Sequence, residues 1–318
     1  MLKLTDYSLT LKGSNGENLP VLEHINLEVE KGTCLGIAGE SGSGKSVLCM
    51  SMIGLLPESS IKDKKGSVIF DGLDLTKLSE KEMNSLRGRR IGFVFQEPMT
   101  AMNPLMKLSE QIGETVCAHI PGVTSQEVHA RVIKALLRAG FKEPEKFLDS
   151  YPHQLSGGMR QRAMIAMALV MEPELIIADE PTTAIDAELQ LQLLAELRKL
   201  IEEQGLTMIF ISHDLGVLRA VSDKIAILYC GNLVELGTSK EVIEKPLHPY
   251  TKDLISSLPR LVQERILPAP IAGTLPEPDK KPAGCVYSDR CKEVAEECKN
   301  KRPCMKEVAE GHFVNCIK

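Results

Sequence analysis

The residues best suited to chemistry form one short run, Gly39-Glu40-Ser41-Gly42-Ser43-Gly44-Lys45-Ser46, which fits the pattern G-x-x-x-x-G-K-[ST] at every fixed position. Its glycines let backbone wrap closely around anionic oxygens and aim N–H groups inward, and a following helix adds its positive end. Lys45 can then reach the β- and γ-phosphates of a nucleoside triphosphate, and the Ser46 hydroxyl can ligate Mg²⁺. A second candidate is the apolar strand Leu175-Ile176-Ile177-Ala178-Asp179, which ends on Asp179-Glu180. Beside a phosphate loop, Asp179 can hold Mg²⁺ and Glu180 can orient an attacking water; alone, the pair would read as a solvated strand end. The third is Leu155-Ser156-Gly157-Gly158-Met159-Arg160-Gln161-Arg162, a hydroxyl and two glycines placed before an apolar helix. A Ser N-cap explains it, and so does an anion site built on the helix's exposed N–H groups. Because the chain already has a phosphate loop, a second such helix start calls for a second nucleotide, or the nucleotide of another subunit.

These residues need elements to hold them. Gly32 precedes the apolar run Thr33 to Ala38, a predicted buried strand, and Val47 to Leu56 reads as a helix, so strand, loop and helix follow in the required order. Residues 2 to 11 and Val21 to Val29 alternate apolar and polar around a turn at Gly13 to Gly16, which predicts an antiparallel β element. Gly66 to Gly72 reads as a short strand, residues 79 to 90 as a helix and Ile91 to Gln96 as a buried strand. From about 97 to 160, and most clearly over 107 to 150, helical spacing (Val128, Val132, Ala135, Leu136, Ala139) predicts a helical insert. Ala187 to Gln204 is a patterned helix, Leu206 to Ile211 a strand, and Ile225 to Cys230 with Leu233 to Leu236 a last small β pair. Six prolines between Pro259 and Pro282 predict a linker.

Composition is that of an ordinary soluble protein: 318 residues, 43% hydrophobic and 25% charged. A formal charge of −5 gives no reason to expect a nucleic-acid partner. The longest apolar run, Ala163 to Met171, is too short to span a bilayer, and no signal peptide is apparent, so a cytoplasmic location is expected. Cys34, Cys49, Cys117 and Cys230 sit singly in apolar surroundings and read as small core residues. The other five crowd the last 34 positions, as Cys285-x5-Cys291-x6-Cys298 and then Cys304 and Cys316. No C-x-x-C pair recommends a zinc ribbon, and disulfides are not expected in the cytoplasm. Four thiolates from a short segment suit an iron–sulfur cluster, with zinc or unliganded reduced thiols as alternatives.

The loop at 39–46, Gln96, the Leu155 to Gln161 run, the Leu175 to Glu180 strand and Ser212-His213 occur in the order and spacing of an ATP-binding cassette (ABC) ATPase, which residues 1 to about 240 resemble throughout. The resemblance implies an α/β fold: a P-loop NTPase core with an antiparallel β subdomain, a helical subdomain and, over residues 241–318, a small Cys-rich C-terminal extension. It implies that Gly39, Ser41, Gly42, Ser43, Gly44, Lys45, Ser46 and Val47 hold ATP. Ser46, Gln96 and Asp179 would surround Mg²⁺, Glu180 would be the general base or water-orienting residue, and His213 would contact the γ-phosphate and hold the attacking geometry. Ser156, Gly157 and Gly158 would act on the nucleotide of the opposite subunit, and Asp186 would lie on a loop crossing the dimer interface. One departure is Leu11, standing where the family usually stacks an aromatic on adenine; Tyr7 lies four residues earlier.

Beyond residue 240, His248-Pro249-Tyr250-Thr251 with Leu254, Ser256 and Leu258 is similar to the extension of peptide and nickel importer ATPases, as are Glu97-Pro98 with Asn103-Pro104, and Tyr151-Pro152-His153-Gln154. The likeness is to the D-type subunit of dipeptide and oligopeptide importers, some of which carry a [4Fe–4S] cluster. On that pattern Gly311-His312-Phe313-Val314-Asn315-Cys316 makes Cys316 the fourth ligand beside Cys285, Cys291 and Cys298, and Cys304 the spare. The branch implies a heterodimer with a paralogous ATPase, two membrane permease subunits and an extracellular or periplasmic binding protein, the ATPases lying on the cytoplasmic face of the membrane. The same-class alternative is uptake of nickel or a metal chelate. The different-class alternative is a soluble ABC ATPase of translation or DNA repair, which typically has two cassettes or a long coiled-coil insert.

Overall fold

Alternating hydrophobicity along the first thirty positions produces two long strands, β1 (Leu2–Lys12) and β2 (Asn18–Val29). The computed structural model describes residues 1–183, 185–257 and 270–318. It divides into two units, one of residues 1–28, 35–76 and 212–318, the other of residues 29–34 and 77–211. In the first unit the chain continues through the fully buried β3 (Cys34–Ala38), α1 (Lys45–Met52), β4 (Ile61–Phe70) and β5 (Leu73–Asp74). One sheet has the order β2-β1-β4-β5. The expected strand at Gly66 to Gly72 is longer and starts at Ile61, because the charged residues 62–65 pair with β1 on an exposed stretch. The register from Leu2↔Phe70 to Leu11↔Ile61 is broken at a bulge, where Asp6 takes φ 49° and a Cβ on Gly66 would lie 2.4 Å from the Asp6 carbonyl oxygen. Tyr7 is fully buried in the core and offers no ring to a base. Helix α1 stops at Met52, short of the expected Leu56, where Gly54 turns to φ 63°.

The second unit contains α2 (Glu80–Leu86), β6 (Ile91–Val94), α3 (Pro98–Ala101), α4 (Leu108–His119), α5 (Ser125–Arg138), α6 (Gly157–Leu169), β7 (Leu175–Asp179), α7 (Ala187–Gln204) and β8 (Thr207–Ile211). Its strands run parallel in the order β8-β7-β6, with Ile91 opposite Leu175 and Asp179 opposite Ile211. Helix α2 starts at a Ser79–Glu82 capping box but ends four residues before the expected position, because Arg87 is extended and Gly88 takes φ 76°. Strand β6 ends at Val94, so Phe95 and Gln96 lie beyond it and are exposed. The expected helical insert is observed in α4 and α5, with Val132, Ala135 and Leu136 buried. Cys117 departs from expectation: it lies on the exposed side of α4, whereas Cys34, Cys49 and Cys230 are buried.

The chain returns to the first unit with α8 (Leu215–Val221), β9 (Lys224–Tyr229), β10 (Asn232–Thr238), α9 (Ser239–Glu244), α10 (Pro249–Ser256), α11 (Glu296–Asn300), β11 (Lys306–Ala309) and β12 (His312–Val314). Here β9 runs parallel to β3, and the order is β11-β12-β10-β9-β3. The pair β9–β10 is therefore not the last; the Cys-rich tail adds two antiparallel strands to β10. The fully buried Glu235 carboxylate makes this possible. It accepts the Leu247 and His248 N–H groups at 2.9 Å each and meets His312 Nε2 at 2.8 Å, tying β10, the start of α10 and β12 together. Of the Pro-rich stretch, residues 259–269 lie outside the described residues, and 270–282 form no helix or strand. Among the described residues no helix is long and apolar enough to cross a membrane.

Candidate functional site

In the first unit, β3 delivers the chain into the phosphate loop and α1 leaves it. Gly39 has φ 153°, and a Cβ there would sit 2.2 Å from the Leu228 carbonyl oxygen and 2.7 Å from Ser43 Oγ, so only glycine fits. Gly44 caps α1 in the left-handed region at φ 102° and accepts the first helical bond from the Leu48 N–H at 2.8 Å. Lys45 is buried and folds back to donate to the Gly39 and Glu40 carbonyl oxygens at 2.8 and 2.9 Å. The ammonium thus lies across the loop. Glu40 is held from elsewhere in the unit: its N–H donates to Tyr250 Oη at 2.8 Å, and its carboxylate receives both Arg290 terminal nitrogens at 2.7 and 3.0 Å. His213 belongs to this unit as well. The preceding Ser212 N–H donates to Ile37 of β3 at 3.2 Å, and Asp214 caps α8 by accepting the Gly216 N–H at 2.7 Å. His213 is exposed on a bend held from both sides.

In the second unit, β7 carries the buried Asp179 at its end. Glu180 follows with φ 46°, a conformation costing on the order of 1–3 kcal/mol for a residue other than glycine. Its N–H donates to the Ile211 carbonyl at 3.1 Å, which holds the turn. Gln96 Nε2 approaches Glu180 Oε2 at 3.5 Å, and Thr183 Oγ1 donates to the same oxygen at 3.1 Å. The parallel register of β6 and β7 is what brings Gln96 and Glu180 together across 84 positions. Thr183 was not legible as a partner, since only a turn of known shape places its hydroxyl back on the acid.

Helix α6 begins where the Ser156 hydroxyl accepts the Met159 N–H at 3.3 Å. Ser156 and Gly157 are exposed, while Gly158 is buried: a Cβ there would lie 2.9 Å from Leu189 on α7. Asp186 caps α7, accepting the Leu189 N–H at 3.0 Å, and is exposed.

Cys285, Cys291, Cys298 and Cys316 line one small cavity with His248 and Tyr287, whereas Cys304 is exposed and lies outside that lining. Burial pushes the Cys285 thiol up to about 11, and burial likewise raises Cys291. In donor chemistry alone, four thiols are the soft ligands that a thiophilic metal takes, and binding one would displace their protons. Among the described residues, however, no group of three or more His, Cys, Asp or Glu side chains stands arranged to hold a metal ion.

A loop of phosphate-binding pattern follows β3, an acid closes β7 and a glycine-led helix is capped by Ser156, features that a nucleotide-hydrolysing cassette calls for. Residues 22–183 match the ABC transporter family, and the chain belongs to it; it is an ATP-hydrolysing cassette coupled to transport. Residues 234–298 match the family described as the oligopeptide/dipeptide transporter C-terminal region. The chain is similar to the dipeptide transport ATP-binding protein DppD of Bacillus subtilis, 40% identical over 301 residues that cover 95% of this chain and 90% of that protein. It is 37% identical to the oligopeptide transport ATP-binding protein OppD of Salmonella typhimurium, over 100% of this chain and 93% of that one. Among solved structures, the dimeric bacterial ABC transporter cassette MJ0796 superposes with a TM-score of 0.67 at 31% identity, covering 75% of this chain and 99% of that one. Its dimeric post-hydrolysis state bound to ADP and Pi gives 0.68, with the same identity and coverage.

Proposed function

We propose that this chain is the ATP-hydrolysing subunit of an importer that takes up dipeptides and oligopeptides. The observation that carries the reading is the oligopeptide/dipeptide transporter C-terminal region matched at 234–298, directly following the cassette. The similar dipeptide and oligopeptide transport ATP-binding proteins favour peptides over nickel. In this reading the amides of residues 39–47 and Lys45 hold the phosphates of ATP. Ser46, Gln96 and Asp179 are oxygen donors of the kind Mg²⁺ prefers, and the ion would neutralise charge on the β- and γ-phosphates. Glu180, its carboxylate aimed by Thr183 and Gln96, takes the proton of the attacking water, and His213 holds the γ-phosphate end. Catalysis then rests on positioning and fixed charge.

Ser156, Gly157 and the Gly158 backbone would close over the nucleotide of the opposite subunit, with Asp186 near the crossing. The dimeric form of the similar cassettes supports a two-subunit site, and we assign the second subunit to a paralogous ATPase. Two permeases and an external binding protein complete the importer, placing this chain on the cytoplasmic face of the membrane. Cys285, Cys291, Cys298 and Cys316 would hold a [4Fe–4S] cluster whose work is to stiffen the tail. Affinity purification of the tagged chain from solubilised membranes tests the whole. Recovery of two integral-membrane permeases is expected, and exclusive recovery of ribosomes or DNA would overturn it.

A further inference from the structure

Among the variable positions of the phosphate loop, Glu40 carries a negative charge into a segment whose task is to wrap a polyanion. An unbalanced carboxylate there would repel ATP. Arg290, 250 positions later in the Cys-rich tail, answers it with a two-pronged pair: Nη1 to Glu40 Oε2 at 2.7 Å and Nη2 to Oε1 at 3.0 Å. The Arg290 side chain is 4% exposed and wholly committed. Its Nε donates to the Ala272 carbonyl at 2.8 Å, Nη1 also reaches Tyr229 Oη at 3.3 Å, and the guanidinium lies over the Tyr229 and Tyr287 rings at 5.7 and 5.9 Å. Tyr250 grips the Glu40 N–H, while the Glu40 carbonyl is one of the two oxygens holding Lys45. The acid is thus fixed at its amide, its carbonyl and its carboxylate.

We infer that Arg290 is a positioning residue for ATP binding: the tail's guanidinium neutralises Glu40 and sets the phosphate loop in shape before the nucleotide arrives. The inference rests on the reading of residues 39–46 as the ATP site. A buried, forked guanidinium locked by packing on both rings is pre-organised, so the loop need not be ordered at the moment of binding.

The test measures ATP affinity of the full-length chain by equilibrium binding, together with KM and kcat of hydrolysis. Arg290→Gln leaves Glu40 uncompensated, and the Kd and KM for ATP are expected to rise about tenfold while kcat changes less than about threefold. The defect should shrink as ionic strength increases, because part of it is screened repulsion. Glu40→Gln in the Arg290→Gln background should recover most of the lost affinity, an outcome that general destabilisation cannot produce. Should Arg290→Gln fail to fold, Arg290→Lys keeps the charge without the fork and should show a smaller rise. Wild-type affinity in Arg290→Gln, or in Arg290→Lys where that variant stands in, overturns the proposal, as does an equal loss with and without Glu40→Gln. Lys45→Ala separates the two levels: if it binds ATP as tightly as the wild type, the phosphate-loop reading itself fails, whereas loss there with no Arg290 effect refutes only the present inference.

Discussion

At the scale of single residues, backbone decides what side chains can do. Glu180 sits in the left-handed region directly after a fully extended strand, so its side chain leaves the strand's alternation and turns to Thr183 and Gln96. A glutamine there keeps the shape and its contacts but cannot take a proton. Glu180→Gln is therefore expected to bind ATP normally while hydrolysis falls by about 10²–10⁴-fold, measured as steady-state phosphate release beside nucleotide binding. Near-normal turnover would remove Glu180 from the role of base. Gly39 is required by the Leu228 carbonyl that a Cβ would strike, whereas a Cβ on Gly158 would meet only the movable end of the Leu189 side chain. The residue beside a conspicuous motif position can matter as much as the position itself, since Glu40 gathers partners from 210 and 250 residues away.

Among the elements, the tail is joined to the sheet by polar contacts as well as by packing. Lys281 donates to Glu23 at 2.6 Å and to the Pro20 carbonyl at 2.6 Å, and Arg302 meets the other Glu23 oxygen, all against β2. Burial alone would raise the Glu23 carboxyl, but the two cations outweigh it and hold the group below its ordinary value of 4.5. A carboxylate with a depressed folded-state pKa stabilises fully above the unfolded value and loses that contribution as pH falls through the folded one. Wild-type melting temperature should therefore drop more steeply than that of Glu23→Gln as pH falls below the ordinary carboxylate value of 4.5, and parallel curves would argue against the pair. The four thiols around one cavity make a separate prediction. Anaerobic purification is expected to give a coloured protein with about four iron and four sulfide per chain; a colourless protein with one equivalent of zinc would refute the cluster. Cys291→Ser should reduce the iron content, and Cys304→Ser should leave it unchanged, because Cys304 stands apart from the cavity.

Taken as a whole molecule, one chain carries one phosphate loop and one glycine-led α6 start. If the helix start of one subunit completes the loop of another, hydrolysis needs two chains. The specific rate of the purified chain should then rise with protein concentration at saturating ATP, and, if the second subunit is a paralogue as proposed, rise further when that paralogue is added. A rate per chain that stays constant down to high dilution would mean that a single subunit suffices. The energy of closing such a site is what could be delivered to a permease, since binding tightens only where both halves meet.

Local structure was legible from residue order alone. The turn at 39–46 between a strand and a helix, the strand ending on Asp179 and the helix from Ala187 to Gln204 depend on spacing, and periodic hydrophobicity or fixed motif geometry writes these into the sequence. What folding decided were the meetings of distant residues and the ends of elements. Strand β4 extends through a charged run because β1 supplies its hydrogen-bond partners, and α2 stops early because Gly88 turns. Tyr7 is withdrawn into the core, Cys117 is turned outward, and β11 and β12 join the sheet at β10 through the buried Glu235. Nothing in the order of residues joins Arg290 to Glu40; a pairing across 250 positions arises only when the chain has folded and the tail lies beside the loop.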